Sequence, residues 1–267
     1  MGSLAVKEGF EMTVVFIHGV PDTSALWQPI VSALGLREGE YFAPNLPGFG
    51  VEWPKQFVPT KDGYADWLLM QIEGLTLRTN QQVDIVGHDW GAIFTQRIAS
   101  LRPDLVRSWT VIDAIMHPDY IWHKTARRWQ TPLLGELMMA ISTQKVLGRA
   151  LYAAGVPREI ATRQARHWNG LMKRSILFLY RSAKTVTEEW ASELDALPEK
   201  GLIIFGGEDP FVDAKFGRQF GEEHGFPVHV VPDRGHWLLL EDPALVADLL
   251  RPLLFPKDSL PPQNEVS

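Results

Sequence analysis

A carboxylate set between two glycines is the group in this sequence with the clearest potential for chemistry. The motif Gly87-His88-Asp89-Trp90-Gly91 follows an apolar, β-branched run and opens an amphipathic stretch. Glycines two residues before and two after Asp89 are typical of a tight strand-to-helix turn, which would hold the carboxylate in a strained conformation above the sheet edge. The helix N-terminus beneath it favours an anion. A plain helix N-cap would give the same local pattern.

Two more polar residues occupy comparable points of the chain. Asp209 follows a second apolar run, within Gly206-Gly207-Glu208-Asp209-Pro210, and His236 follows a third, within Gly235-His236-Trp237. Taken singly, Asp209 could be a turn residue before proline and His236 a buried polar residue. Loops at the carboxyl ends of parallel strands converge on one edge of a sheet, however. Asp89, Asp209 and His236, in this order, therefore predict a catalytic triad.

An oxyanion hole is predicted from the turn His18-Gly19-Val20-Pro21, which directly follows the first apolar run. This turn can bring the backbone N–H of Val20 toward Asp89, beside the backbone N–H of Trp90. Two such donors stabilise a developing oxyanion. The Val20–Pro21 peptide bond could be cis, which proline tolerates at small cost. We interpret His18 as a structural residue that orients the turn through hydrogen bonds.

The elements that must position these residues alternate between buried strands and amphipathic helices. Nearly continuous apolar runs predict parallel strands, and periodic stretches between them predict helices. The predicted strands are Thr13–Ile17, Tyr41–Ala43, Val83–Val86, Trp109–Ile112, Leu202–Phe205 and Val228–Val231, and the predicted helices are Ser24–Leu34, Gly63–Leu77, Trp90–Leu101, Asp213–Glu223 and Pro243–Leu253. This alternation indicates right-handed βαβ units and an α/β fold whose mostly parallel sheet is flanked by helices.

One long segment breaks the alternation, because residues 117–192 carry helical patterns only. They predict a helical cap inserted after the Trp109–Ile112 strand. We assign residues 1–116 and 193–255 to the core, 117–192 to the cap and 256–267 to a loose tail. Trp122 and Trp129 of the cap, with Trp237 beside the histidine, are predicted to line the pocket of a bulky, hydrophobic small-molecule substrate.

Composition excludes several classes of protein. The 267 residues are 45 % hydrophobic, which is enough to bury the core of a single α/β domain. The net charge of -6 argues against a nucleic-acid partner, and the absence of cysteine excludes disulfides, thiol catalysis and thiolate metal sites. No segment reaches the ~18 apolar residues of a membrane span. We expect a cytoplasmic protein with no membrane partner, no metal and no cofactor.

The motifs His18-Gly19-Val20-Pro21, Gly87-His88-Asp89-Trp90-Gly91, Asp209 and Gly235-His236 together resemble the epoxide hydrolase and haloalkane dehalogenase branch of the α/β-hydrolase superfamily. The resemblance runs from about Val14 to Leu254. It implies that Asp89 attacks an electrophilic carbon and forms an ester. A water deprotonated by His236 would then hydrolyse this ester, with Asp209 holding the imidazole. No Gly-x-Ser-x-Gly motif occurs, which argues against a serine esterase.

The leaving group separates epoxide hydrolases from dehalogenases. An epoxide oxygen needs an acidic O–H, and Leu179-Tyr180-Arg181 resembles the segment that carries the ring-opening tyrosine of epoxide hydrolases. Tyr180 could equally be a helix residue packed beneath the cap. The second cap tyrosine of that family is missing, and Tyr152 or His123 is the candidate to replace it. Hydrolysis of an epoxide to a diol is the leading hypothesis.

A halide needs N–H donors instead. Trp90 suits a halide but is common to both groups of enzymes, and Val20 stands where one dehalogenase group has a donating asparagine. Trp122 or Trp129 could donate in its place. Dehalogenation is therefore the first alternative, and a non-hydrolytic isomerase, a cyclase or a ligand-binding protein on the same fold is the second.

Two departures from the family pattern affect the predicted core. Asp113, after the Trp109–Ile112 strand, stands where some relatives place the triad acid. We prefer Asp209 and interpret Asp113 as a loop or supporting carboxylate. Before Val14 at most one short strand, around Leu4–Val6, fits where the family usually has two. We therefore expect a sheet edge that is truncated or covered by a partner chain, as in a homodimer.

Overall fold

The computed structural model of the chain describes residues 13–256, and its centre is a parallel sheet of six strands. The strands are β1 (Val14–Ile17), β2 (Tyr41–Phe42), β3 (Val83–His88), β4 (Val106–Ile112), β5 (Gly201–Gly206) and β6 (Val228–Val231). They lie in the order β2-β1-β3-β4-β5-β6, and each neighbouring pair is parallel. The predicted α/β-hydrolase architecture is confirmed.

The central strands are mostly apolar and largely buried because helices cover both faces of the sheet. All residues of β1, β3 and β5 are buried. The helices around the sheet are α1 (Gln28–Leu34), α2 (Lys61–Thr79), α3 (Trp90–Leu101), α10 (Ala214–His224), α11 (Leu238–Glu241) and α12 (Pro243–Leu254). Short 3-10 helices occupy Ser24–Trp27, Pro103–Leu105 and Ala191–Ala196.

Residues 117–192, which we call the helical insertion, contain helices and connecting loops but no strand in the structure. These are α4 (Lys124–Gln130), α5 (Leu134–Ile141), α6 (Gln144–Ala153), α7 (Arg158–Ala165), α8 (Gly170–Ser182) and α9 (Val186–Trp190). The insertion is tied to the rest of the molecule, here called the body, by partly buried polar contacts. The indole N–H of Trp53 donates to Ser175 at 2.9 Å, and the backbone N–H of Lys61 donates to Ser182 at 2.8 Å.

Strand β4 begins at Val106, earlier than the predicted Trp109, because buried polar residues interrupt its apolar pattern. Asp84 of β3 is fully buried and accepts hydrogen bonds from Ser108 and Arg107 of β4. Pairing across the two strands satisfies these groups, so they fit the sheet although their types suggest a loop. The predicted helix Ser24–Leu34 is divided into a 3-10 turn and α1.

Several predictions concern residues that the structure does not describe. The short strand around Leu4–Val6 lies outside the described residues, as does the predicted tail except for Pro256. Within residues 13–256, no helix is both long enough and apolar enough to cross a membrane.

Candidate active site

Asp89 occupies the turn between β3 and α3 in a backbone conformation that L-residues rarely adopt, with φ 53° and ψ -123°. The flanking glycines allow this turn. A Cβ at Gly91 would lie 1.9 Å from the carbonyl oxygen of Ile17, and one at Gly87 would lie 2.2 Å from the carbonyl oxygen of Gly91. Only glycine permits such close backbone approach, so the motif holds the Asp89 carboxylate at the carboxyl edge of the sheet.

The loop after β1 binds one oxygen of this carboxylate. The backbone N–H of Val20 donates to Asp89 Oδ1 at 2.7 Å, and the Val20–Pro21 peptide bond is cis. Trp90 is the first residue of α3, so its backbone N–H has no partner within the helix. The structure thus brings the predicted donor Val20 to the Asp89 carboxylate, and Trp90 adjoins Asp89 at the start of α3.

His18 supports this loop from below. Its Nδ1–H donates to the carbonyl of Gly19 at 2.8 Å, and its Nε2 accepts from the backbone N–H of Leu46 at 3.0 Å. Burial lowers the pKa of His18 to about 4, so the ring is neutral and can accept at Nε2. These contacts match the structural role predicted for His18.

His236 lies between two carboxylates. Its Nδ1 donates to Asp209 Oδ2 at 2.7 Å, and its Nε2 lies 3.6 Å from Asp89 Oδ2. Asp209 Oδ1 in turn accepts from the backbone N–H groups of Phe211 and Val212, at 2.7 and 3.1 Å. The structure therefore joins the three predicted residues in one continuous chain of contacts, with Asp209 fixed by its own loop.

The two carboxylates and the imidazole shift one another's pKa values. Burial acts to lower the pKa of His236, but the charges of Asp209 and Asp89 outweigh it and raise that pKa well above 6.5. Burial acts to raise the pKa of Asp89, but His236 and the Val20 N–H outweigh it and lower that pKa. In the resting site Asp89 is accordingly an anion beside a histidine that holds its proton.

Asp113, the alternative acid, lies near this chain of contacts but outside it. Its Oδ1 accepts from the backbone N–H of Gly206 at 2.7 Å, and its Oδ2 has no hydrogen-bond partner among the described residues. Burial and the charge of Asp209 raise the pKa of Asp113 well above its usual value. It is Asp209, as preferred from the sequence, that contacts the imidazole.

A buried polar cluster behind the site was not anticipated from the sequence. Asp22 accepts from the indole N–H of Trp237 at 3.0 Å and from the amide of Gln164 at 2.5 Å. His88, 3.9 Å from Asp22, donates from Nε2 to the backbone carbonyl of His236 at 2.7 Å. Burial raises the pKa of Asp22 to about 7. Because Gln164 belongs to α7, this cluster joins the loop of His236 to the helical insertion.

Two cavities meet at the Asp89 carboxylate. The larger, about 270 Å³, extends between the body and α4–α8, and the smaller, about 40 Å³, lies over Trp90. Four side chains line both cavities: Asp89, His123, Tyr180 and Phe211. A molecule bound at Asp89 would therefore contact residues of the body and of the insertion.

Tyr180 and His123 are neutral donors in this shared wall. Tyr180 is 3 % exposed, and its pKa is raised well above 10 by burial and by the charge of Asp89, in part offset by a hydrogen bond with Trp90. His123 caps α4, where its Nδ1 accepts from the backbone N–H of Ala126 at 3.3 Å. Burial lowers the pKa of His123 to about 4. Its proton therefore resides on Nε2.

The predicted pocket tryptophans line these cavities. Trp122 stacks on Trp90 at 5.7 Å beside the smaller cavity, and Trp129 and Trp237 line the larger one. Tyr120, which was not predicted as a site residue, packs edge-on against Trp122 at 5.5 Å and lines the smaller cavity.

Tyr152 does not reach the site. Its side chain is 53 % exposed and lies under the guanidinium of Arg158, 5.1 Å from the ring centroid, on the outside of the insertion. Successive residues of a helix point about 100° apart. On α6 the preceding Leu151 faces the larger cavity, so Tyr152 faces away from it.

Comparison with known proteins shows that the chain belongs to the alpha/beta hydrolase family, whose profile matches residues 14–249. A haloalkane dehalogenase of Mycolicibacterium paratuberculosis is 25% identical over 215 residues, which are 74% of this chain and 68% of that protein. Epoxide hydrolase 2 of Siraitia grosvenorii is 33% identical over 100 residues, or 36% of this chain and 30% of that protein.

Solved structures show the same fold. The haloalkane dehalogenase DbeA of Bradyrhizobium elkani superposes with a TM-score of 0.74 at 22% identity, over 92% of each chain. The predicted α/β-hydrolase family is thus confirmed, and the chain is similar to proteins named haloalkane dehalogenase and epoxide hydrolase.

Proposed function

We propose that the chain is a hydrolase that opens an epoxide to a diol through a covalent ester on Asp89. The observation that carries this proposal is the position of Asp89. Its carboxylate is held by Val20 and by His236, and it faces a cavity wall in which Tyr180 supplies a neutral, buried hydroxyl. A nucleophile that needs no activation and a proton donor for the departing oxygen are the two requirements of ring opening.

In the first half-reaction, Asp89 Oδ2 attacks a ring carbon, because Oδ1 is occupied by the Val20 N–H. The ring C–O bond breaks as the new ester bond forms. The ring oxygen takes a proton from Tyr180 O–H, assisted by a hydrogen bond from His123 Nε2–H. The high pKa of Tyr180 means that the hydroxyl is fully protonated when substrate binds. The product is a hydroxyalkyl ester of Asp89.

In the second half-reaction, His236 takes a proton from water, and the oxygen of that water adds to the ester carbonyl carbon. The negative charge develops on Oδ1, where the backbone N–H groups of Val20 and Trp90 stabilise it. When this intermediate collapses, the ester C–O bond breaks, and the departing alkoxide of the diol takes the proton from His236. Esterification removes the charge of Asp89, so the pKa of His236 falls, and the proton that His236 held returns the Tyr180 phenolate to its hydroxyl before the neutral imidazole acts as the base. Once the ester is cleaved, the acid proton of Asp89 passes to His236, which restores the starting charges.

The helical insertion is proposed to act as the cap of this enzyme. It supplies Tyr180, His123 and Trp129 to the cavities, whereas the body supplies the ester-forming and ester-cleaving residues. Most of the remaining lining is apolar, including Met138, Met139 and Leu147 of α5 and α6. An apolar epoxide with a bulky or aromatic substituent fits such walls.

Separate incubations with styrene oxide and a short bromoalkane test the proposal. We expect diol formation from styrene oxide, and in a His236→Gln variant a mass increase of one styrene oxide on the peptide that contains Asp89. An adduct confined to Asp89 would support the covalent route. Bromide release without diol formation would contradict the epoxide assignment.

Dehalogenation by the same nucleophile is the second candidate, favoured by one feature of the smaller cavity. Trp90 and Trp122 stack there beside Asp89, in a space of about 40 Å³ that suits a halide better than a substituted epoxide. Full activity of an Asp89→Asn variant on every substrate would contradict both hydrolytic candidates. It would indicate a non-hydrolytic enzyme or a ligand-binding protein.

A further inference from the structure

The positive charge of the chain is concentrated in the helical insertion. Residues 117–192 contain 12 Lys and Arg against 5 Asp and Glu, whereas the remainder of the chain contains 14 against 27. A basic insertion is therefore mounted on an acidic body, although the net charge of the whole chain is -6. Charge separated in this way directs a molecule toward an anionic partner through one face.

Two groups of these cations are exposed and carry no ion pair among residues 13–256. The first lines an open groove between α6 and α7 and comprises Lys145, Arg149, Arg158 and Arg166. The second lies on α4 and comprises Lys124, Arg127 and Arg128. In contrast, Arg181 on the same insertion forms a bidentate pair with Glu136, with both distances 2.7 Å. The positive charges of the two groups are thus available to a partner outside the chain.

An apolar strip lies on α5, between α4 and α6 in the chain. Leu134, Leu137 and Ile141 are spaced three and four residues apart, which places them on one side of the helix. They are 40%, 58% and 67% exposed, and the adjoining Leu133 is 84% exposed. Meanwhile Met139 of α5 is buried against the core. A helix that is apolar on both its inner and its outer side is typical of a helix with a partner on each.

The apolar strip leads to the mouth of the larger cavity. Val146, at the start of α6, lines that cavity and is also 50% exposed. Met138, which lies between Leu134 and Ile141 on α5, lines the same cavity. Apolar side chains of α5 and α6 therefore occur both on the outside of the insertion and in the wall of the cavity beside Asp89.

We propose that this face of the insertion, formed by residues 133–146 with the cationic groups on α4 and on α6–α7, binds peripherally to an anionic phospholipid membrane. The leucine and isoleucine side chains would enter the boundary between headgroups and acyl chains, and the lysines and arginines would bind the lipid phosphates. The mouth of the larger cavity would then open toward the bilayer, where apolar compounds accumulate. Such contact requires no membrane-spanning helix. The expectation of no membrane partner rested on the lack of a spanning segment, and this criterion does not detect peripheral binding.

Charge favours a membrane over a second copy of the chain in a symmetric arrangement. A two-fold dimer through this face would oppose one basic surface to another, and like charges at an interface repel. A bilayer offers negative charge and an apolar interior at the same surface, which matches the combination found on the insertion.

Vesicle sedimentation of the full chain tests the proposal without measuring turnover, so its outcome is independent of the proposed reaction. We expect at least about tenfold stronger partitioning onto phosphatidylcholine vesicles that contain phosphatidylglycerol than onto phosphatidylcholine alone, weakened by added salt. The double variants Lys145→Glu/Arg149→Glu and Leu137→Asp/Ile141→Asp should each lose most of this binding.

The matched control is Leu77→Asp/Arg78→Glu on α2. It removes an 84% exposed leucine and an exposed arginine that lie outside the insertion, so vesicle binding should be unchanged. Circular dichroism and Tm measurements establish that each variant is folded. Absence of binding to anionic vesicles, or equal losses in control and test variants, would overturn the proposal. So would a dimer in vesicle-free light scattering that only the test variants dissociate.

Discussion

The two sides of the cavity around Asp89 are built differently. On the body side, polar groups are fixed by the backbone: Asp89 by its turn and by Val20, and Asp209 by the loop that follows it. On the insertion side, Tyr180 and His123 are held by ring packing and by a helix cap, in mostly apolar surroundings. In the proposed mechanism, the body side carries the formation and cleavage of the ester, which are common to the whole branch. The insertion side selects the leaving group and the substrate.

The sharpest test of the body side is Asp89→Asn. Asparagine tolerates a positive φ as aspartate does, so the variant should fold while losing the attacking carboxylate. We expect turnover of the preferred substrate to fall on the order of 10⁴-fold, with Tm changed little. Mass spectrometry of the variant with substrate should find no adduct. Retained turnover would show that the Asp89 carboxylate of the body is not the nucleophile.

The next largest effect concerns the two buried carboxylates near His236. Asp209→Asn removes the acceptor that orients the Nδ1–H of the imidazole, so ester hydrolysis should slow on the order of 10³-fold or more. Asp113→Asn is the matched control, since burial and the charge of Asp209 raise the pKa of its carboxyl, which accepts from the backbone N–H of Gly206 and not from the imidazole. Its effect should remain within about threefold. Rapid-quench measurement of ester decay compares the two, and equal losses would show that Asp113 shares the role.

On the insertion side, Tyr180→Phe should affect one half-reaction alone. Removing the hydroxyl should slow epoxide opening on the order of 10²-fold, whereas decay of the ester should be unchanged because Tyr180 takes no part in it. Single-turnover kinetics separate the two steps. Tyr152→Phe, on the exposed side of α6, is the control and should alter neither. A Tyr180→Phe enzyme that opens epoxides at the normal rate would show that Tyr180 is not the proton donor.

Sequence predicts the two sides unequally well. Strand ends, the glycines around Asp89, and the order of Asp89, Asp209 and His236 are local patterns, and each led to a residue that the structure places at one edge. In the insertion, the sequence indicates less clearly which side of each helix faces the cavity. Leu151 and Tyr152 are adjacent and both large, and only packing decides which one faces the cavity.

The contacts behind the site are the least predictable. Asp22 meets Gln164, 142 residues away, and Trp237, 215 residues away. Each residue type alone is compatible with an exposed loop or helix, and no local spacing links them. Likewise the buried pairing of Asp84 with Ser108 displaced the predicted start of β4, because polar residues joined across strands look like loop residues in sequence.

Asp22 is one of the residues at which body and insertion meet, and its substitution should have the smallest effect on turnover but a clear effect on stability. Its pKa of about 7 in the folded chain exceeds the ordinary value of 3.8. Between these pH values the unfolded chain has released a proton that the folded chain retains, so the free energy of unfolding must fall as pH rises through this window.

Asp22→Asn should abolish that fall. The amide can still accept from Trp237, and it can donate to Gln164 after a flip of the Gln164 amide, whose oxygen has no hydrogen-bond partner in the described chain. We therefore expect the variant to gain on the order of 4 kcal/mol relative to the original chain between acidic and mildly alkaline pH. Urea unfolding across this pH range measures the difference. Parallel profiles would mean that Asp22 is charged in the folded state. The contact between body and insertion would then be a hydrogen bond to a carboxylate and not to a neutral carboxyl group.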